Sequence, residues 1–261
     1  EAAAPDGKKG RARKSRGAGG IGKPPIGLAL DRSSITAVRL RHRPEGTSLD
    51  TVAVDRLPEG LIQEGEVRDV EGLGAAIRAF WKSHDIKGRK VAIGLANQKI
   101  VVRTLEFPML EESELRSAIE FQAQDYIPIP IEEAVIDFHV MGSYRDENEI
   151  ERQKVLVVAA QKEMVMDFVE ALKKARLGID NVDLQAFALS RALTVKSFLE
   201  EGVRAEQAVA IVNIAADVTN LIVEAGGEPL FTRIISFGGN DFTRAVQEQL
   251  SMSFEEAELM K

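Results

Sequence analysis

Two stretches of this 261-residue chain carry residue types at spacings that suit phosphate chemistry. The first, "IGLALDRSSITAVRL", reads as a strand over Ile26–Leu30, a turn over Asp31–Ser34 and a strand from Ile35 to Arg41. The second, "AIVNIAADVTNLIVEAG", repeats the order of strand, small-residue turn and strand from Ala210 to Gly226. Each is followed by a third strand and then a helix, and similarity at such separation points to duplicated halves. Two such halves facing one another form a cleft into which the backbone N–H groups of both turns point, which is a phosphate clamp. The same pattern is common to strand–turn–strand pairs in any α/β protein, and spacing alone leaves both readings open. Further along, Gly238 and Gly239 open a helix, whose N-terminus attracts anions through its free N–H groups. Glu258 and Lys261 stand three apart on another helix, the spacing of an exposed ion pair. The chain has no cysteine, which removes disulfides and thiolate metal sites. His42, His84 and His139 do not pair at helical ligand spacing and read as surface or strand residues. No catalytic or metal-ligating residue is therefore assigned.

The elements that must position these residues follow from hydrophobic periodicity. A third strand over Leu49–Asp55 follows a hairpin loop, "RPEGTS", and "LPEGLIQEGEVRD" is a loop with a short strand. A helix from about Val70 to His84 buries Leu73, Ile77, Phe80 and Trp81 at helical spacing. "KVAIGLA" and "IVVRTLEF" are strands, and "EESELRSAIEFQAQDYIP" is a helix with acids in its first turn and a proline stop. "AVIDFHVMG" alternates like a half-buried strand, whereas the unbroken apolar run "VLVVAA" is a strand covered on both faces. A helix over Lys162–Arg176 is expected to close on Gly178, followed by the strand "IDNVDL" and a long helix from Gln185 to Leu199. Then come an antiparallel meander, the glycine-led helix, and a last helix with Ser253 as N-cap and Glu256 completing a capping box. The chain stops inside that helix, so the second domain is expected to be incomplete.

Composition fits a globular protein with a real core, at 44% apolar and 29% charged residues. A net charge of −7 makes the body acidic and excludes nucleic acid as a partner. Six basic side chains in "GKKGRARKSRGAGG" make residues 1–25 a solvated, disordered tail, with contact to anionic lipid as the sharper reading, at about 1 kcal/mol per cation. No apolar run reaches the roughly 20 residues that cross a bilayer as a helix. A cytoplasmic setting fits.

Several long stretches resemble the PilM family of type IV pilus assembly proteins, relatives of the cell-division protein FtsA within the actin and sugar-kinase superfamily. They are "LPEGLIQEGEVRD", "VVRTLEFPMLEESELRSAIEFQAQDYIPIPIEEAVIDFHVMG", "VLVVAAQKEMVMDFVEALKKARLGIDNVDLQAFALSRAL" and "EPLFTRIISFGGNDFTRAVQEQLSMSFEEAELMK". The resemblance implies an α/β, actin-like fold of duplicated ribonuclease H-like halves with an inserted subdomain. It implies subdomain 1A over 26–105 and 184–205, subdomain 1C over 106–183, and the start of domain 2 over 206–261.

The resemblance further implies that Ser33, Ser34, Thr219, Asn220, Gly238, Gly239, Glu258 and Lys261 stand at nucleotide-contacting positions. The family's two loop acids, however, fall on Ala29 and Asn213. Loop glycines fall on Asp31, Ala215 and Asp217, the usual lysine on Thr36, and one threonine on Val218. Loop glycines let backbone N–H groups approach phosphate without a Cβ in the way. An aspartate there adds bulk and like charge. Two unit charges about 4 Å apart repel by about 4 kcal/mol at an effective dielectric of 20, roughly a thousandfold in affinity. Losing both acids also removes the magnesium shell. The expectation is no required cofactor and weakened binding of Mg-ATP. A second reading of the same resemblance is an ATP-binding or ATP-hydrolysing protein, either an FtsA-like filament former or a kinase-like ATPase.

The implied function is that of a cytoplasmic scaffold at the inner face of the cell membrane. It docks the cytoplasmic tail of a PilN-like membrane protein in a groove between 1A and 1C and connects it to the pilus motor ATPases. Phe107, Tyr126, Ile127, Pro128, Ile129 and Phe138 are the apolar residues available to line that groove, with ordinary 1C core as the alternative role.

Overall fold

A computed structural model describes residues 24–193 and 208–261. The basic tail up to residue 23, and the expected continuation of the long helix past Leu193, lie outside the described residues.

Alternation builds the first sheet. In β1 (Ile26–Leu30), Ile26, Leu28 and Leu30 are buried and Gly27 and Ala29 are exposed. β2 (Ser34–Arg43) and β3 (Gly46–Arg56) form an antiparallel hairpin closed over Pro44 and Glu45. The strands thus run further than the expected six-residue loop allowed. β4 (Ile62–Gln63) and β5 (Glu66–Val67) form a small ribbon. Its tip residues Glu64 and Gly65 have φ of 54° and 75°, the mirror-image turn that suits the right-handed twist of two strands.

Helix α1 (Val70–Ser83) starts where Asp69 accepts a hydrogen bond from the Gly72 N–H at 2.8 Å, and it buries Leu73, Ile77 and Phe80 as the spacing predicts, whereas Trp81, expected with them, is only half-buried at the margin of that core. β6 (Lys90–Leu95) then runs parallel to β1.

A second sheet follows. β7 (Val101–Pro108), β8 (Ala134–Arg145) and β9 (Glu151–Gln161) pair antiparallel in the order β7-β9-β8. Helix α2 (Glu112–Tyr126) covers one face, with Leu115, Ile119 and Ala123 against Leu105, Phe107, Val155 and Val157. A single 3-10 turn, Ile131–Glu133, leads into β8. The other face of β9 meets the first core through Ala160 and Val158, which explains the unbroken apolar run in that strand.

Helix α3 (Lys162–Lys174) returns to the first sheet and packs beside α1. The helices approach so closely that a Cβ on Gly74 would lie 2.7 Å from the Cβ of Lys174. α3 does not close on Gly178. Arg176 takes the left-handed position, φ 61°, and the Leu177 N–H donates back to Leu172 O at 2.9 Å. Gly178 instead opens β10 (Gly178–Leu184), which pairs parallel with β6. The sheet order is β10-β6-β1-β2-β3. Residues 162–184 therefore pack on the first sheet and 101–105 in the second.

Helix α4 (Gln185–Leu193) leads to a third sheet of β11 (Ala208–Ile214), β12 (Thr219–Ala225) and β13 (Glu228–Ile235), antiparallel in that order. Ala186 of α4 packs on Ile211 and Ile222. Helix α5 (Gly239–Leu250) and helix α6 (Phe254–Met260) follow. α6 carries the expected capping box, with Glu256 N donating to Ser253 Oγ at 3.2 Å and Ser253 N to Glu256 Oε2 at 2.9 Å. No helix among the described residues is long and apolar enough to cross a membrane.

Candidate functional site: the cleft between two turns

The duplicated turns are alike in geometry. In the first, Asp31 N–H donates to Ser34 O at 3.0 Å, and in the second, Ala215 N–H donates to Val218 O at 2.9 Å. This register sets Asp31 against Ala215 and Ala29 against Asn213. It is the repeat read from sequence, and the turns do face one another.

What lies between them is the chain itself. Asp31 accepts from Arg32 N–H at 2.8 Å within its own turn and from Ala216 N–H at 3.2 Å in the other. Asp217 answers from the second turn. Its carboxylate takes the Arg32 guanidinium at 3.3 and 3.4 Å, the Asn240 amide of α5 at 2.9 Å and the Glu64 N–H of the β4–β5 tip at 3.1 Å. The Asp217 side chain is 5% exposed and that of Arg32 38%. A buried carboxylate is tolerated only when its lone pairs are filled, and these are.

The hairpin tip is held to the cleft from below. Buried Asn97 donates to Glu64 O at 2.6 Å, and Gly65 approaches the chain so closely that a Cβ would stand 1.9 Å from Ala96 O. The cavity beneath the turns, lined by Leu30, Asp31, Gly65, Gly94, Gln185 and Val218, measures ≈ 20 Å³. That is about one water, against roughly 300–1,000 Å³ for a small-molecule pocket.

The sequence-derived positions lie around this contact. Ser33 is exposed and Ser34 half-buried at the first turn. Thr219 Oγ1 donates to Phe237 O at 2.7 Å, and Asn220 Nδ2 donates to Gln185 Oε1 at 3.2 Å. The α5 N-terminus is engaged internally. Gly238 N–H donates to Asp241 at 2.7 Å, Gly239 N–H to Ala215 O at 2.8 Å and Asn240 N–H to Ala216 O at 2.9 Å. Glu258 and Lys261 do pair, at 2.8 Å. Lys261 also donates to Thr243 Oγ1 at 3.0 Å and to Gly239 O at 3.2 Å, which ties α6 to the start of α5. Lys261, and then Thr243, hold the Glu258 carboxyl below its ordinary value. Among the described residues no group of three or more histidine or carboxylate side chains could hold a metal ion.

The apolar positions divide. Phe107 and Ile127 are 0% and 5% exposed and belong to the second core, with Ile129 and Phe138 packed at its margin. Arg116 lies 5.0 Å from the Phe138 ring centroid. Tyr126 and Pro128 are exposed. Sequence reasoning marked Asp31 and Asp217 as departures but could not assign their partners. Asn97, Asn240 and Glu64 carried no signal, since they meet the turns only through the fold.

The model of the family described as type IV pilus assembly protein PilM matches residues 27–261. Cell division protein FtsA of Bacillus subtilis (strain 168) is 24% identical over 240 residues, covering 82% of this chain. The chain spans about half of that relative, 52% of its length. A solved PilM-PilN type IV pilus biogenesis complex superposes with a TM-score of 0.79 at 28% identity, over 91% of this chain and 68% of that one. The ethanolamine utilization protein EutJ from Carboxydothermus hydrogenoformans superposes at 0.51 with 14% identity, over 92% and 62%, a likeness of fold alone. The fold is the actin-like α/β class that the family resemblance implied.

Proposed function

Because this chain belongs to the PilM family of type IV pilus assembly proteins, we propose that it is a docking scaffold whose nucleotide cleft is degenerate. Its partner is the cytoplasmic tail of a PilN-like inner-membrane protein, which places it at the cytoplasmic face of that membrane, with the pilus motor ATPases as a further contact. The observation that carries the partner is the likeness to the solved PilM-PilN complex. The degenerate cleft is supported by Asp217, whose carboxylate fills the space between the turns. Of the apolar candidates, Tyr126 and Pro128 stand free to meet an extended peptide, with half-buried Ile129 and Phe138 behind them. An apolar strip with a few polar guides is what such docking needs.

Fluorescence anisotropy with a labelled PilN-like tail peptide tests the docking. Binding should occur without nucleotide, should be unchanged by Mg-ATP, and should weaken about tenfold in Tyr126→Ala. Loss of a well-packed aromatic anchor is worth about 1–2 kcal/mol. Absence of binding refutes the partner. Calorimetric titration of Mg-ATP into the protein tests the cleft separately, and micromolar affinity refutes degeneracy.

A further inference from the structure

We propose that Asp31 and Asp217 form a built-in clasp: their carboxylates take the donors that an anionic ligand between the halves would take, so the chain holds its own cleft shut. This rests on the degenerate-cleft part of the reading above and is independent of the partner.

The contact is reciprocal. Asp31 of the first turn reaches a backbone N–H of the second, and Asp217 of the second turn reaches a side chain of the first. Both bonds join residues 185 apart in sequence. Asp31 collects two donors and Asp217 draws donors from three elements: the first turn, the β4–β5 tip and α5. A guanidinium, backbone N–H groups and a side-chain amide are the set that would otherwise recognise a phosphate. Filling them with carboxylates neutralises the attraction and occupies the volume, and the cavity beside Asp31 measures ≈ 20 Å³. The consequence is that closure needs no ligand, so the relative position of the halves is fixed whatever the nucleotide level. Arg32 is half-exposed, so its own ion pair with Asp217 is partly screened. The larger effect comes from Asp217 itself, because its carboxylate is the acceptor shared by the Arg32 guanidinium, the Glu64 N–H and the Asn240 amide.

Hydrogen exchange on the full chain, read by mass spectrometry, tests the clasp in wild type, Asp217→Asn and Arg32→Ala. In Asp217→Asn, segments 28–34, 62–66 and 214–219 should all exchange about ten- to a hundredfold faster, the equivalent of one or two lost charge-assisted bonds. Arg32→Ala should accelerate the same segments by less, while 155–160 in the second core keeps its rate in both. Arg32→Ala retains the test where Asp217→Asn fails to fold. Pyrophosphate added to the wild type should leave segments 28–34 and 214–219 unchanged. Unaltered exchange of 214–219 in the variants overturns the clasp, and so does pyrophosphate slowing those segments in the wild type. Neither result bears on whether the PilN-like peptide docks.

Discussion

Gly238 and Gly239 are adjacent, and both stand where the family resemblance expects an anion to sit, yet the packing separates them. A Cβ built on Gly238 would lie 2.4 Å from Ala216 O and 2.6 Å from Ala215 O. Its φ of −150° is open to any residue, so the obstacle is contact and not backbone conformation. No flexible side-chain end is available to yield there, because both neighbours are carbonyl oxygens of the second turn. Gly238→Ala must therefore push α5 away from that turn, stretching the Gly239 N–H and Asn240 N–H bonds to Ala215 O and Ala216 O, at 2.8 and 2.9 Å. Two such bonds contribute about 1 kcal/mol each, and overpacking adds about 1–3 kcal/mol, so a loss of about 3 kcal/mol is expected. At about 2–4 °C per kcal/mol for a chain of this size, Tm should fall by roughly 6–12 °C.

Gly239→Ala is the internal control. Its Cβ would meet only the Lys261 Nζ, the end of a long side chain, at 3.4 Å and Ala215 O at 3.6 Å. Alanine in place of a helical glycine gains up to about 1 kcal/mol, so Tm should hold or rise slightly. Thermal unfolding followed by circular dichroism reads both variants. Equal shifts for the pair, or a change of less than about 2 °C in Gly238→Ala, would refute the packing argument.

Three further outcomes follow from the same structure. Phe107→Ala should cost about 3–5 kcal/mol by urea denaturation, because the ring is fully buried in the second core. Its folded fraction should bind the tail peptide normally, the reverse of Tyr126→Ala. Glu258 has its folded pKa below its ordinary 4.5, so its contribution to stability is complete above that value. That contribution is lost as pH falls through the lowered value, and exchange at the α5–α6 junction should accelerate below pH 4.5 in wild type but not in Glu258→Gln. Asp167 behaves oppositely. Burial first, then Glu163, Glu170 and Glu66, raise its carboxyl above the ordinary 3.8, so stability falls as pH rises through the folded value. Asp167→Asn should therefore have a higher urea midpoint than wild type at pH 7 and an equal one at pH 3.

Much of this molecule was legible one element at a time. The stripe Leu73, Ile77, Phe80 specified α1, the alternation in Ile26–Leu30 specified β1, and Ser253 with Glu256 specified the start of α6, because each signal is a local period or a local hydrogen bond. The repeat of the two turns was legible too, since both halves must solve the same backbone problem. The end of α3 was misplaced by two residues, because the Leu177 bond back to Leu172 put Arg176, and not a glycine, in the left-handed position. The same limit made Phe107 and Ile127 ambiguous between groove and core, as an apolar side chain carries no record of which neighbours will cover it.

By itself the sequence determined that two small-residue turns exist and that each carries an aspartate, Asp31 and Asp217; that acids and glycines are replaced there is what the family resemblance implies. Only the tertiary structure decided where those aspartates point. Asp31 meets Ala216, and Asp217 meets Arg32, Glu64 and Asn240, across separations of up to 185 residues. No local pattern encodes such contacts, because they exist only once separate sheets, a hairpin tip and a helix end have been packed around the same few ångströms.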